Sequence, residues 1–86
     1  MFCVYILKSS KDGNLYIGYT DNLGRRLAEH NAGKSQATRP RIPFKLIYCE
    51  AYLSAKDAKH REHNLKLHSK ALSQLKRRLE DTLIIS

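Results

Sequence analysis

This chain has no run of 18 or more apolar residues, so nothing in its 86 residues is suited to spanning a bilayer, and no membrane partner is expected. Its first residues, MFCVYILKSS, hold an apolar run without the basic residues that open a secretory signal. They read better as a strand, and the cytoplasm is the expected compartment. Only two cysteines occur, Cys3 and Cys49, too few for a disulfide framework and expected as reduced packing residues. Internal repeats, low-complexity tracts and linkers are also missing. The length suits one domain, residues 1–86, with a small core.

Negative charge is scarce. Eight Asp+Glu stand against sixteen Lys+Arg, a formal net charge of +8. The excess is concentrated. Lys34, Arg39, Arg41 and Lys45 lie in a segment without an acid, and residues 56–78 carry eight basic side chains against Asp57 and Glu62. Charge gathered in this way points to a polyanion, nucleic acid first; a solvated basic face is the plainer alternative.

Hydrophobic patterning gives an outline. Phe2 to Lys8 is rich in strand formers, Asp12-Gly13 signals a hairpin turn, and Leu15 to Thr20 returns as a second strand. With a two-residue turn, Lys11 faces Asn14 and Tyr5 faces Thr20. Tyr5, Tyr16 and Gly18 then share one face, while Val4, Ile6, Leu15, Ile17 and Tyr19 share the other. Asp21 or Asn22 caps a helix that stops at Gly33, with Leu23, Arg26, Leu27 and His30 on one stripe. A basic loop, KSQATRPRIP, leads to a third strand over Phe44 to Tyr52. That strand is apolar on both faces, so the sheet needs cover on both sides. Ser54, with Asp57 three residues on, starts a helix that reaches about His68. Ser69 is the expected cap of another, whose inner side is Leu72, Leu75 and Leu79.

Three features exceed what packing needs. The stretch NLYIGY sets two tyrosines around Gly18; a glycine inside a strand marks close approach by a ligand or another backbone, and a buried tyrosine hydroxyl needs a partner. Arg26 and His30 sit one turn apart on an otherwise leucine-lined stripe. Glu62 falls in the stripe of Ala55, Ala58 and Leu65, flanked by Lys59, Arg61 and Lys66. A carboxylate there is costly unless it pairs with an arginine of the first helix, binds a metal or serves as an acid–base group, and the residues alone leave all three open. His60, His63 and His68 lack companion cysteines and do not continue one face, so structural zinc is not expected.

Taken in order, these residues resemble the GIY-YIG nuclease superfamily in its small single-domain form, similar to the catalytic domain of the bacterial excinuclease. Tyr16-Ile17-Gly18 is the second half of the name motif intact. Cys3-Val4-Tyr5 is the first half with its tyrosine kept, valine for isoleucine and cysteine for glycine. Arg26, His30 and Glu62 match the family's arginine, histidine and glutamate. The resemblance implies an α/β (α+β) fold, a three-stranded antiparallel sheet flanked by about three helices. It implies phosphodiester hydrolysis assisted by Mg²⁺ or Mn²⁺, on DNA ahead of RNA, with DNA repair as a setting. Glu62 would hold the metal; Tyr16, with Tyr5 close by, would take a proton from the attacking water; Arg26 would neutralise phosphoryl charge; His30 would position or share a proton. Gly18 would leave room for the phosphate backbone, and Lys34, Arg39, Arg41, Lys59, Arg61 and Lys66 would bind phosphate. The rivals are a non-catalytic nucleic-acid-binding module of the same fold and a structural subunit that needs a protein partner or a second copy.

Overall fold

The computed structural model describes all 86 residues. Strands β1 (Phe2–Ser9), β2 (Leu15–Thr20) and β3 (Phe44–Tyr52) form one antiparallel sheet in the order β2-β1-β3, so the N-terminal apolar run is the central strand. Helix α1 (Leu23–Asn31) precedes β3, and α2 (Ala55–Leu67), α3 (Ser69–Arg78) and the short α4 (Glu80–Ile85) follow it. No helix is long and apolar enough to cross a membrane.

The expected division of faces holds, in a different register. Tyr5 faces Gly18 and Leu7 faces Tyr16, two residues away from the pairing that a two-residue turn gives. The turn is longer: the Ser9 amide donates to Asn14 O at 3.0 Å and the Gly13 amide to Ser9 O at 2.9 Å, with Gly13 at φ 72°. The Ser9 hydroxyl organises the interior of this loop by accepting from the Lys11 and Asp12 amides, both at 3.1 Å. A shift by two leaves every side chain on its face, because the strand period is two.

Both faces of the sheet are covered. Val4, Ile6 and Ile17 pack with Ala58, Leu65 and Leu75 of α2 and α3, while Tyr5, Leu7 and Phe44 pack with Leu23 and Leu27 of α1 and with Ile42. A bulge in β3 adapts that strand to the two layers. Ile6 faces Tyr48 and Leu7 faces Leu46, leaving Ile47 extra, and both Ile47 and Tyr48 join the α2/α3 side.

Local chemistry sets the helix ends. The Asn22 side chain accepts from the Arg25 amide at the start of α1, and Gly33, at φ 76°, follows its end. Asn31 then clamps α1 to β3 by donating to Phe44 O and accepting from Phe44 N. Ser54 caps α2 by accepting from the Asp57 amide. Ser69, expected as a cap, is instead the first residue of α3, and the residue before it, His68, makes no side-chain capping bond. The helical stretch breaks at Leu79 and resumes as α4, whose last carbonyls are gathered by Lys8 Nζ, 3.3 Å from Leu83 O and 3.0 Å from Ser86 O.

Candidate active site

The close approach announced by Gly18 is made by a side chain. A Cβ built on Gly18 would lie too close to both Cζ and the hydroxyl oxygen of Tyr5 for the two to coexist unmoved. On its Cβ side the glycine therefore leaves room for the Tyr5 ring. Gly18→Ala is predicted to overpack this contact at a cost of about 1–3 kcal/mol. Thermal melts check this, and an unchanged melting temperature would show that the ring yields freely.

Laid across Gly18, Tyr5 is 1% exposed and its hydroxyl sits 2.9 Å from His30 Nε2. His30 is fully buried, and its Nδ1 lies 2.8 Å from the hydroxyl of Thr38, itself 0% exposed. Thr38 comes from the basic loop and does not stand out in the sequence, since nothing local marks a threonine aimed at a histidine eight residues away. Burial pushes the His30 pKa down, with Arg26 nearby adding to the effect. In a neutral imidazole one ring nitrogen donates and the other accepts, so the Tyr5–His30–Thr38 chain runs in one direction at a time.

The lowered His30 pKa has a consequence for stability. An unfolded histidine titrates near 6.5, and in the fold the proton is bound less readily. The stabilisation is complete above about pH 6.5 and is lost as pH falls from there through the lower folded value. The melting temperature of the wild type is predicted to fall between neutral and mildly acidic pH more steeply than that of His30→Gln. Parallel curves for the two would contradict it.

Around this buried pair lie the more accessible groups. Tyr16 is half-buried, its ring 5.1 Å from that of His30 and 6.4 Å from that of Tyr5. The hydroxyl of Tyr16 is left out of the protein's side-chain hydrogen bonds, whereas burial pushes the Tyr5 phenol up against the opposing pull of Arg26 beside it. Arg26 reaches this point from α1 and also donates to Glu29 at 3.3 Å.

Glu62 is less enclosed than its stripe implies. Ala58 and Leu65 are buried, but Glu62 lies at the margin of the apolar stripe, with its side chain 23% exposed. Its partner is Lys66 of the same helix, at 3.1 Å, and not an arginine of α1. Lys59, Glu62 and Lys66 form a row along the edge strand β2, where Lys59 Nζ stands 5.4 Å from the Tyr19 ring centroid and Lys66 Nζ 5.9 Å from that of Tyr16. Helix α2 thus brings the Glu62–Lys66 pair to the β2 edge beside Tyr16, while Lys59 stands over Tyr19 on the opposite face of the sheet.

The other basic residues divide. Lys34 and Arg39 follow the end of α1, where Arg39 Nε donates to Gly33 O at 2.7 Å. Arg41 is held by Asp12 at 2.7 Å, which lowers that carboxyl's pKa to about 2, and its guanidinium lies over Phe44. Arg61, expected to bind phosphate, has its guanidinium taken up by Glu50 on the opposite face, with Nε 3.0 Å from Oε1 and Nη2 3.0 Å from Oε2. Glu50 also accepts from the hydroxyls of Tyr48 and Tyr52, each at 2.6 Å. This cluster has only a faint trace in the sequence, the alternation of Tyr48, Glu50 and Tyr52 along one strand face. His60, His63 and His68 bring no third ligand group together, and both cysteines are free thiols.

The family model described as the GIY-YIG catalytic domain matches residues 1–78, the span that holds Tyr5, Tyr16, Gly18, Arg26 and His30. The chain belongs to this family. Its GIY-YIG domain is 47% identical over 64 residues to a UPF0213 protein of Streptococcus pneumoniae, covering 73% of this chain and 64% of that one. It is 46% identical over 68 residues to a UPF0213 protein of Staphylococcus haemolyticus, covering 78% and 82% of the two chains. The solution structure of a UPF0213 protein from Bacillus halodurans superposes with a TM-score of 0.54 at 38% identity, over 87% of this chain and 82% of that one. A GIY-YIG catalytic domain points to nuclease-type chemistry on nucleic acid.

Proposed function

We propose that the protein is a divalent-metal-dependent endonuclease that hydrolyses phosphodiester bonds, DNA ahead of RNA. The observation that carries this reading is the placing of the half-buried Tyr16 between a sealed Tyr5–His30 pair and the partly exposed Glu62–Lys66 pair. A site built only for packing has no need of an open phenol beside a carboxylate and an ammonium.

Tyr16 accepts the proton of the attacking water. Lys66, 5.9 Å from the Tyr16 ring centroid, and Arg26 are the cationic groups beside it as the proton is transferred. Arg26 balances the charge that develops on the phosphoryl oxygens. Tyr5, with its phenol pushed up by burial, is unsuited to be the base; together with His30 and Thr38 it forms the floor that holds Tyr16 and Arg26 in place. Glu62 supplies one hard oxygen donor, which fits Mg²⁺ or Mn²⁺ completed by waters and substrate phosphate better than it fits zinc. Bound at Glu62, such an ion would draw charge from the phosphoryl group and leave Lys66 free for phosphate. Lys34, Arg39 and Lys59 extend the positive surface, while Arg41 and Arg61 are committed to Asp12 and Glu50.

A panel of labelled DNA and RNA structures, incubated with and without Mn²⁺, tests this. The expected result is cut product that requires the cation, from substrates whose binding weakens steeply with salt. Binding without cleavage would leave a nucleic-acid-binding module, and no binding at low salt would remove both readings.

A further inference from the structure

Beyond Tyr16, on the hairpin side, an open groove of about 620 Å³ runs between the end of β2 and helices α2, α3 and α4. Its eleven lining residues include no acid. Leu15, Leu72 and Leu83 give it an apolar floor, Lys66 and Lys76 stand along it, and Tyr16 is shared with the site described above. Lys76 is exposed and has no carboxylate partner. Leu83 is held at the rim because Lys8 grips the last carbonyls of α4.

We infer that this groove binds a nucleotide of the substrate strand adjacent to the bond that is cut, with its base on the apolar floor and its phosphate at Lys76. The inference rests on the nuclease reading and adds a subsite to it. Two features in combination select this occupant. Positive charge without acid attracts the phosphodiester chain, and an apolar floor beside an aromatic ring accepts the face of an unpaired base whatever its sequence. The groove is continuous with the cleavage site through Tyr16 and Lys66, so a strand lying across one reaches the other. A purely phosphate-binding surface has no use for the leucines of this floor.

The test is abasic scanning. Short labelled DNA strands, each with one base removed at a different position, are titrated in chelator against wild type, Leu83→Gln and Lys76→Glu. Wild type is expected to lose about tenfold in affinity at one position adjacent to the mapped cut, the scale of one stacked base. Leu83→Gln is expected to bind intact and abasic strands alike, with a thermal melt showing that it is folded. Lys76→Glu is expected to weaken all strands together. Equal binding of every abasic strand by wild type, or the same positional loss in folded Leu83→Gln, overturns the subsite while leaving the nuclease reading in place. Failure of wild type to bind any strand overturns both.

Discussion

Tyr16→Phe is expected to lower the cleavage rate by about 10²–10⁴, the usual range for loss of a positioned proton-transfer group. Substrate affinity and melting temperature should stay close to those of the wild type. The change keeps the ring, so the packing against His30 at 5.1 Å is retained. It removes only a hydroxyl that no protein group uses. Tyr5→Phe makes a useful contrast, because that hydroxyl is buried and bonded to His30. Its loss leaves a buried nitrogen unpaired at a cost of about 1–3 kcal/mol. It is therefore expected to lower the melting temperature and, at temperatures where the variant is folded, to reduce cleavage less than Tyr16→Phe does. Equal cleavage by Tyr16→Phe and wild type would remove Tyr16 as the base; the opposite ranking of the two variants would transfer the role to Tyr5.

The two inward-leaning glutamates should separate function from stability. Glu50 gathers Arg61, Tyr48 and Tyr52, with side chains of 15% exposure for the glutamate and 28% for the arginine. Burial disfavours its charge, but bonds from Arg61 and the two phenols outweigh this and hold its pKa below the usual value. Glu50→Ala strands a partly buried guanidinium and two hydroxyls, a loss of about 2–4 kcal/mol once the remaining solvent access is allowed for. That is a large share of the stability of a small domain. Glu62 has one partner, an exposed lysine a turn away, of the kind worth about 0.3–0.5 kcal/mol. Glu62→Gln is therefore expected to leave the thermal melt in chelator nearly unchanged while removing metal-dependent cleavage. A large fall in melting temperature for Glu62→Gln, or none for Glu50→Ala, would reverse these assignments.

Periodic features are the ones most legible in the sequence. Period-two alternation places Tyr5, Tyr16 and Gly18 on one face, and this survives an error of two residues in the register because two is the strand period. The stripe of Leu23, Arg26, Leu27 and His30 puts a histidine into the core, where the fold has it. What escapes depends on contacts between elements. Asp12-Gly13 has the form of a two-residue turn, but the Ser9 hydroxyl draws two further amides into the loop. Gly18 announces a close approach without saying that Tyr5 makes it. Arg61 groups with the lysines of its helix until its partner, Glu50 of the preceding strand, is in view. Glu62 has the pattern of a buried residue because Ala58 and Leu65 share its stripe, but helical stripes have margins, and the edge strand β2 leaves that margin open.

Glu62 and Tyr16 together are held to turn a GIY-YIG fold into a working nuclease in this chain. The most direct measurement is single-turnover cleavage of one labelled substrate, at matched saturation, by wild type and Glu62→Gln in Mn²⁺ and in chelator. The expected result is cleavage by the wild type in Mn²⁺ alone, none by Glu62→Gln in either condition, and equal affinity of the two proteins in chelator. Cleavage by Glu62→Gln at the wild-type rate, or cleavage by the wild type that persists undiminished in chelator, would contradict it.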